Sequence, residues 1–408
     1  MDSLTQIVLG ASMGEAVAGK KIGNRAMVWG AIAGTIPDLD VFGGVFGMSP
    51  EDSLAFHRGI SHSIFFAVLA PLLLALYTHW FYKNQHHKST GLKWSTTIAG
   101  ILFMIFCGAI INFIPYVATQ SISFLTLAIV LGLIAFLSYR LITRYTTQEQ
   151  EDVDMPYWRW YLLFFVAILT HPILDCCTNY GTQLFQPFSD VRLAWNNISV
   201  ADPLYTLPFL VLLIIAATRQ NSNKWRSYLN YAAFGWSMLY MMWTVRNKQI
   251  VDQVFEDSLQ NSSIEYSRFM TTPSILNNVL WHCIAEGDDE YYDGYYSLLD
   301  KEPKVKLQTI KKNHELISNY DDKRVKTLVW FSNGYYNVTD AGGDTLHVND
   351  LRYGAQIGLS SDDPDAYIFP FKIYPQGTAY VLKEDQRDPP PGGMDEFWNA
   401  LWTRVAGI

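Results

Sequence analysis

The sequence predicts a polytopic α-helical membrane bundle of about six to eight membrane helices, followed by a C-terminal soluble α+β domain. Two observations carry this. Long apolar runs crowd residues 1–245, whereas residues 246–408 are rich in Tyr, Asp, Lys and Asn. Lys and Arg also alternate between rich and poor loops along the first part, as in a chain that crosses a bilayer repeatedly. The expected division is a membrane-embedded 1–245 and an extracytoplasmic 246–408.

A spanning helix needs about 20 apolar residues. The runs at 63–82, 96–117, 121–139, 160–176, 203–218 and 228–245 meet or approach that length. Two shorter runs, 4–18 and 25–36, precede them and are rich in Gly and Ala, at Leu9–Gly14 and Gly30–Gly34. Small residues at such spacing let helices approach closely in lipid, so a helical hairpin is expected there.

One set of loops carries Lys20, Lys21 and Arg25; Lys83, Lys88 and Lys93; Arg140, Arg144 and Arg159; and Arg219, Lys224 and Arg226. That side is assigned to the cytoplasm. The N-terminus, residues 37–62, residues 177–202 and the C-terminal half then lie on the far side, the periplasm of a bacterium. The protein is expected to be a multi-pass protein of the inner membrane. No basic segment precedes the first apolar stretch, so no cleaved signal peptide is expected.

In the soluble half, Pro273–Ala285 and Val305–Ile317 have helical periodicity, and Tyr291–Leu299 has no clean period. Thr327–Ser332 and Tyr335–Val338 flank Asn333-Gly334 and read as a hairpin with a type I′ turn. Strands are expected at 366–374 and 378–382, a Pro/Gly-rich linker at 386–393, and a helix at 394–405 with Phe397, Trp398, Leu401 and Trp402 on one side. No catalytic constellation shows in this half. Its expected role is a lid or a substrate-selecting element.

The topology was set by basic residues alone, yet it gathers the unusual polar residues on the far side. Pro37-Asp38-Leu39-Asp40 ends the second segment, with Asp38 nearer the membrane. His57-Arg58-Gly59-Ile60-Ser61-His62 opens the third; His57 is expected in the loop, His62 in the first helical turn, and Ser61 as its cap. His171 and Asp175 close the sixth, one turn apart on one face. Asp202 opens the seventh, after a loop that carries Arg192.

Imidazoles and carboxylates converging in an apolar setting suit a divalent cation. The expected ligands are Asp38, Asp40, His57, His62, His171 and Asp175. Arg58 and Arg192 would hold an anionic group, and Asp202 would add a ligand or a base. The donor set suits Zn²⁺, as one or two ions, with Mn²⁺ or Fe as alternatives. Cys176-Cys177 read as packing, and four cysteines give no disulfide framework. His79, His86, His87, His282, His314 and His347 lack ligand spacing. Glu15 is read as a partner for Lys20, Lys21 or Arg25.

The net charge of −8 argues against a nucleic-acid partner. There is no serine elbow, Walker loop or glycine-rich dinucleotide loop, so hydrolysis by a metal-activated water is the simplest chemistry.

Several ordered motifs carry a resemblance: Met1-Asp-Ser-Leu-Thr5, Pro37-Asp-Leu-Asp40, His57-Arg-Gly-Ile-Ser-His-Ser63, His171-Pro-Ile-Leu-Asp175, Tyr180-Gly181, Pro187-Phe-Ser189 and Asp202-Pro-Leu-Tyr205. Over residues 1–245 the chain resembles the YdjM-type inner-membrane metal-dependent hydrolases, also described as LexA-binding. Members often carry His after the opening Thr, where this chain has Gln6. The resemblance implies a membrane metal hydrolase. A more distant similarity, in the His-x-x-x-Asp pattern, is to zinc-dependent phospholipase C and related single-strand nucleases, which implies phosphodiester chemistry.

The expected function is therefore hydrolysis at the periplasmic membrane edge of a lipid or lipid-linked phosphoester. Two alternatives stand beside it. An ion- or proton-coupled transporter would spread its acidic and His residues through the bilayer depth, whereas here they gather at one face. A regulatory scaffold for a cytoplasmic repressor would find only short loops to bind.

Overall fold

Asp2 starts the first helix by accepting a hydrogen bond from the Thr5 backbone N–H at 3.0 Å. In this computed structural model, which describes residues 1–119, 123–318, 322–343, 345–354, 367–376, 379–384 and 393–408, that helix is α1 (Ser3–Ile22). Gly23, at φ 61°, turns the chain into α2 (Asn24–Thr35). The expected hairpin forms. A Cβ on Gly10 would strike the Gly30 carbonyl, and one on Gly14 the Ala26 carbonyl, so only glycine permits this backbone contact.

Pro37 cannot extend α2. A 3-10 helix, Pro37–Phe46, takes over and carries both Asp38 and Asp40. After α3 (Pro50–Phe56), a short 3-10 turn at Ile60–His62 leads into α4 (Ile64–Lys83). The hydroxyl that accepts from the first turn of α4 is Ser63, from Phe66 N at 3.1 Å, rather than the expected Ser61.

Next come α5 (Thr90–Thr119), α6 (Phe124–Leu141), a single π-helical turn at Ile142–Thr146, α7 (Tyr157–Asp175), α8 (Pro203–Ala217) and α9 (Lys224–Asn261). Among the described residues, three helices are long and apolar enough to cross a membrane: Ile64–Lys83, Thr90–Ala109 and Phe124–Leu141. Their large side chains, Leu73, Phe103, Phe124 and Leu125 among them, are exposed, which fits a membrane bundle.

The chain forms two compact units, Met1–Pro71 with Leu162–Ile408, and Leu72–Tyr161. In the smaller unit Tyr82 stacks on Trp160 with ring centroids 5.2 Å apart, and Lys93 Nζ donates to the Gln148 carbonyl at 2.9 Å. In the larger unit α1, α8 and α9 share a core that includes Val8, Leu9, Tyr205, Phe209 and Ala233. Glu15 pairs there with Arg226, at 2.7 and 2.5 Å, rather than with Lys20, Lys21 or Arg25. Arg226 lies one helix away in space, a partner that no sequence spacing reveals.

The expected boundary at 245 falls inside α9, which continues unbroken into the C-terminal half. Val251, Phe255 and Leu259 on its last turns pack against Trp281 and Cys283. The C-terminal half is α+β. One antiparallel sheet has the order β1 (Arg268–Pro273), β2 (Leu280–Glu286), β3 (Glu290–Ser297), β4 (Gln308–Lys311). The second runs β5 (Tyr336–Gly342), β6 (Thr345–Asp350), β7 (Pro370–Gln376), β8 (Ala379–Glu384). Before β5 comes α10 (Lys323–Phe331), and α11 (Gly393–Val405) ends the described chain. The linker expected at 386–393 lies outside the described residues up to 392.

Three local expectations give way. The helix expected at Pro273–Ala285 is a loop followed by β2, whose residues Leu280–Ala285 are buried on both faces and so show no strand alternation. The one expected at Val305–Ile317 is β4 followed by a 3-10 turn at His314–Ile317. The residues before Asn333-Gly334 are helical, because Val325, Leu328 and Phe331 bury one helical face. Asn333 and Gly334 do take positive φ, 53° and 75°, but they join a helix to a strand.

Candidate metal centre

Three elements bring four side chains to a common point. Asp38 comes from the 3-10 helix after α2, His62 from the turn before α4, and His171 and Asp175 from the last turn of α7. One ligand atom from each lies within 4.8 Å of all the others. His171 Nε2 stands 3.1 Å from His62 Nε2, 3.3 Å from an Asp38 oxygen and 3.4 Å from Asp175 Oδ2. His62 Nε2 stands 3.5 Å from Asp38 and 3.4 Å from Asp175 Oδ2.

These separations decide what the site fits. Zinc bonds of about 2.0–2.1 Å in a tetrahedron set neighbouring ligand atoms about 3.3 Å apart. Five edges of the cluster, at 3.1–3.5 Å, match that figure. The Oδ2 atoms of Asp38 and Asp175 are buried and accept no hydrogen bond. A tetrahedral dication supplies the missing partner for Asp175 Oδ2, while Asp38 faces the cluster through Oδ1.

The outer nitrogens of the two histidines are engaged, which turns the inner ones toward the cluster. His171 Nδ1 donates to the Gly34 carbonyl at 2.6 Å. The glycine contacts between α1 and α2 fix where that carbonyl lies. His62 Nδ1 faces Asp40 Oδ2 at 3.2 Å and Ser61 Oγ at 3.1 Å. Burial opposes charge on His62, but the carboxylates of Asp175, Asp38 and Asp40 outweigh it and push its pKa up to about 10. That preference for positive charge is the preference that a cation satisfies.

Around the four stands a supporting layer. Asp40 accepts from His57 Nδ1 at 2.8 Å, from the Arg58 backbone N–H at 2.8 Å and from Ser61 Oγ at 3.2 Å. The structure therefore places Asp40 and His57 beside the cluster and outside it. Arg58 sends Nη1 to Thr178 Oγ1 at 2.8 Å, and its Nε lies 3.3 Å from Asp175 Oδ2. The other oxygen of Asp175 takes Gln6 Nε2 at 3.0 Å and the buried Met1 α-amino group. Gln6 thus occupies the cluster's edge as a donor to a candidate ligand.

Two candidates lie elsewhere. Arg192 donates to the carbonyls of Tyr180 and Gly181 at 3.2 and 2.9 Å, and its guanidinium sits about 5 Å from the rings of Tyr180, Trp330 and Phe331. It clamps the loop after α7 to α10. Asp202 caps α8 through Leu204 N and Tyr205 N at 3.1 and 3.3 Å and accepts from the Tyr240 hydroxyl at 2.7 Å. Sequence reasoning missed the Gly34 carbonyl, Thr178 and the Met1 amine. A backbone carbonyl leaves no mark in a sequence; the short Gly-rich runs were the only indirect signal. The other histidines make local contacts: His79 with the Met155 carbonyl at 3.3 Å, His314 with the Tyr336 carbonyl at 2.8 Å, and His282 with Asp293.

A family model for the YdjM inner membrane protein matches residues 1–251. The chain belongs to the YdjM inner membrane protein family. No curated protein and no solved structure matches it. All four convergent side chains lie within the YdjM span, which ends inside α9. The two β-sheets of this YdjM protein lie beyond it.

Proposed function

We propose that the protein is a multi-pass inner-membrane hydrolase that uses a divalent metal, zinc for preference, on a lipid or lipid-linked phosphoester at the periplasmic edge of the bilayer. Six to eight membrane helices, with α1, α2, α7, α8 and the first part of α9 joining the three long apolar ones, complete this reading. The single observation that carries it is the near-tetrahedral convergence of Asp38, His62, His171 and Asp175.

Those four residues would hold the cation. A divalent cation there supplies Lewis acidity and brings the pKa of a water molecule toward neutrality. The chain's own residues do the rest. Gly34 and Asp40 orient the two imidazoles. Arg58, whose Nε lies 3.3 Å from Asp175 Oδ2, sets a fixed positive charge at the site, the charge that an anionic substrate group needs. Thr178 holds the guanidinium in place.

The test is metal analysis of the purified full-length protein, wild type beside His171→Ala and Asp175→Ala, with phosphodiester turnover measured on the same samples. Stoichiometric metal in the wild type alone, with turnover that follows it, supports the reading. Unchanged metal in both variants, or a metal-replete wild type that hydrolyses no phosphoester, overturns it.

A further inference from the structure

Beside the metal centre opens a cavity of about 320 Å³, in the size range of small-molecule sites. Its walls come from segments far apart in the chain. Leu54 on α3 and Tyr180 from the loop after α7 line it, together with Phe371 on β7 and Phe369 just before that strand. Leu54, Tyr180 and Phe369 also pack against the core of that sheet, so the C-terminal half builds part of the wall.

The polar lining is Asp40, His57 and Ser53. Asp40 is saturated by His57, Arg58, Ser61 and His62. His57 gives Nδ1 to Asp40, which leaves its Nε2 edge for the cavity. Ser53 Oγ is buried and has no hydrogen-bond partner. A ligand oxygen would give that hydroxyl the partner it lacks. Asp40 lines the cavity and also touches His62, so one residue separates the cavity from the metal centre.

We infer that this cavity is the subsite for the apolar part of the substrate, a short stretch of hydrocarbon chain next to the phosphoester. Ser53 and His57 meet its first oxygen atoms, and Leu54, Phe369 and Phe371 meet its carbons. The C-terminal half thereby selects the substrate. The inference rests on the proposed hydrolase reading for the word substrate; the cavity's preference for hydrocarbon is measured independently of turnover.

The experiment uses full-length protein in phosphatidylcholine nanodiscs and measures binding of monoalkyl phosphates from ethyl to octyl by calorimetry. Affinity is expected to rise by about fourfold per added methylene, until the cavity is full. Leu54→Trp fills the cavity and flattens the series. Phe369→Ala enlarges it and extends the rise to longer chains. Leu73→Trp, on an exposed face of α4, keeps the wild-type series and so controls for partition into the disc. The same slope persists after chelation of metal. A flat series in the wild type, or one slope shared by wild type, Leu54→Trp and Phe369→Ala, overturns the inference. The rise without any phosphoester turnover would leave the subsite standing and remove the hydrolase.

Discussion

Helix α1 touches two buried polar clusters, and they are built differently. Further along the helix, Glu15 meets Arg226 through two hydrogen bonds at 2.7 and 2.5 Å. The remaining Arg226 nitrogen finds Asn24 Oδ1 at 2.7 Å and the Arg219 carbonyl at 3.1 Å. Charge and hydrogen bonding close on themselves. Near its start, α1 places Gln6 against Asp175, at the edge of a group in which two imidazole nitrogens face each other at 3.1 Å and two carboxylates converge with them. That group lines up acceptors around one point. A complete pair is a structural device, whereas two imidazoles and two carboxylates whose ligand atoms converge on one point, with Asp175 Oδ2 left without a hydrogen bond, make a place for a cation.

The sharpest way to break this comparison is to remove one member from each cluster. His171→Ala or Asp175→Ala should abolish stoichiometric metal, read by elemental analysis, and chelator should then no longer lower the thermal midpoint as it does in the wild type. Glu15→Leu should keep metal but lose about 3–5 kcal/mol of stability, because Arg226 is left buried without its partner. The double variant Glu15→Leu with Arg226→Met should recover most of that loss, as buried pairs replaced by apolar residues often do. Chemical unfolding of the detergent-solubilised protein measures both. If Glu15→Leu also lost metal, the two clusters would be one coupled system and the contrast would fail.

The candidate site was legible in the sequence to the extent that it depends on local spacing. His171 and Asp175, one helical turn apart, share a face for that reason alone. The hairpin of α1 and α2 was legible from its glycines, and the long apolar helices from their length. What could not be read was which acid binds and which acid supports. Asp38 and Asp40 are two residues apart, and the choice depends on the 3-10 geometry of Pro37–Phe46, which turns Asp38 to the two inner Nε2 atoms and Asp40 to the outer nitrogens of His57 and His62. The soluble half was harder for a different reason. A strand buried on both faces, as β2 is, has lost the alternation by which strands are recognised.

Asp40 tests the supporting layer. Asp40→Ala should retain metal with affinity lowered about 10–100-fold, the usual effect of removing a group that orients a ligand histidine. Competition against a calibrated chelator gives the number. A complete loss, matching His171→Ala, would place Asp40 among the ligands.

The smallest expected effect comes from Asp202, a residue whose position at the start of α8 fits a catalytic acid as readily as a helix cap. Its carboxylate accepts two backbone N–H groups and the Tyr240 hydroxyl, so its oxygens are occupied within the fold. Asp202→Asn keeps an oxygen for the backbone donors, and Asp202→Ala removes both. The cap predicts about 1 kcal/mol lost for alanine, little for asparagine, and metal content equal to wild type in each. A catalytic or ligating carboxylate predicts the opposite pattern, in which asparagine fails as fully as alanine while the unfolding midpoint stays put. Measuring stability and metal on the same two variants separates a side chain that completes a helix from one that joins the chemistry.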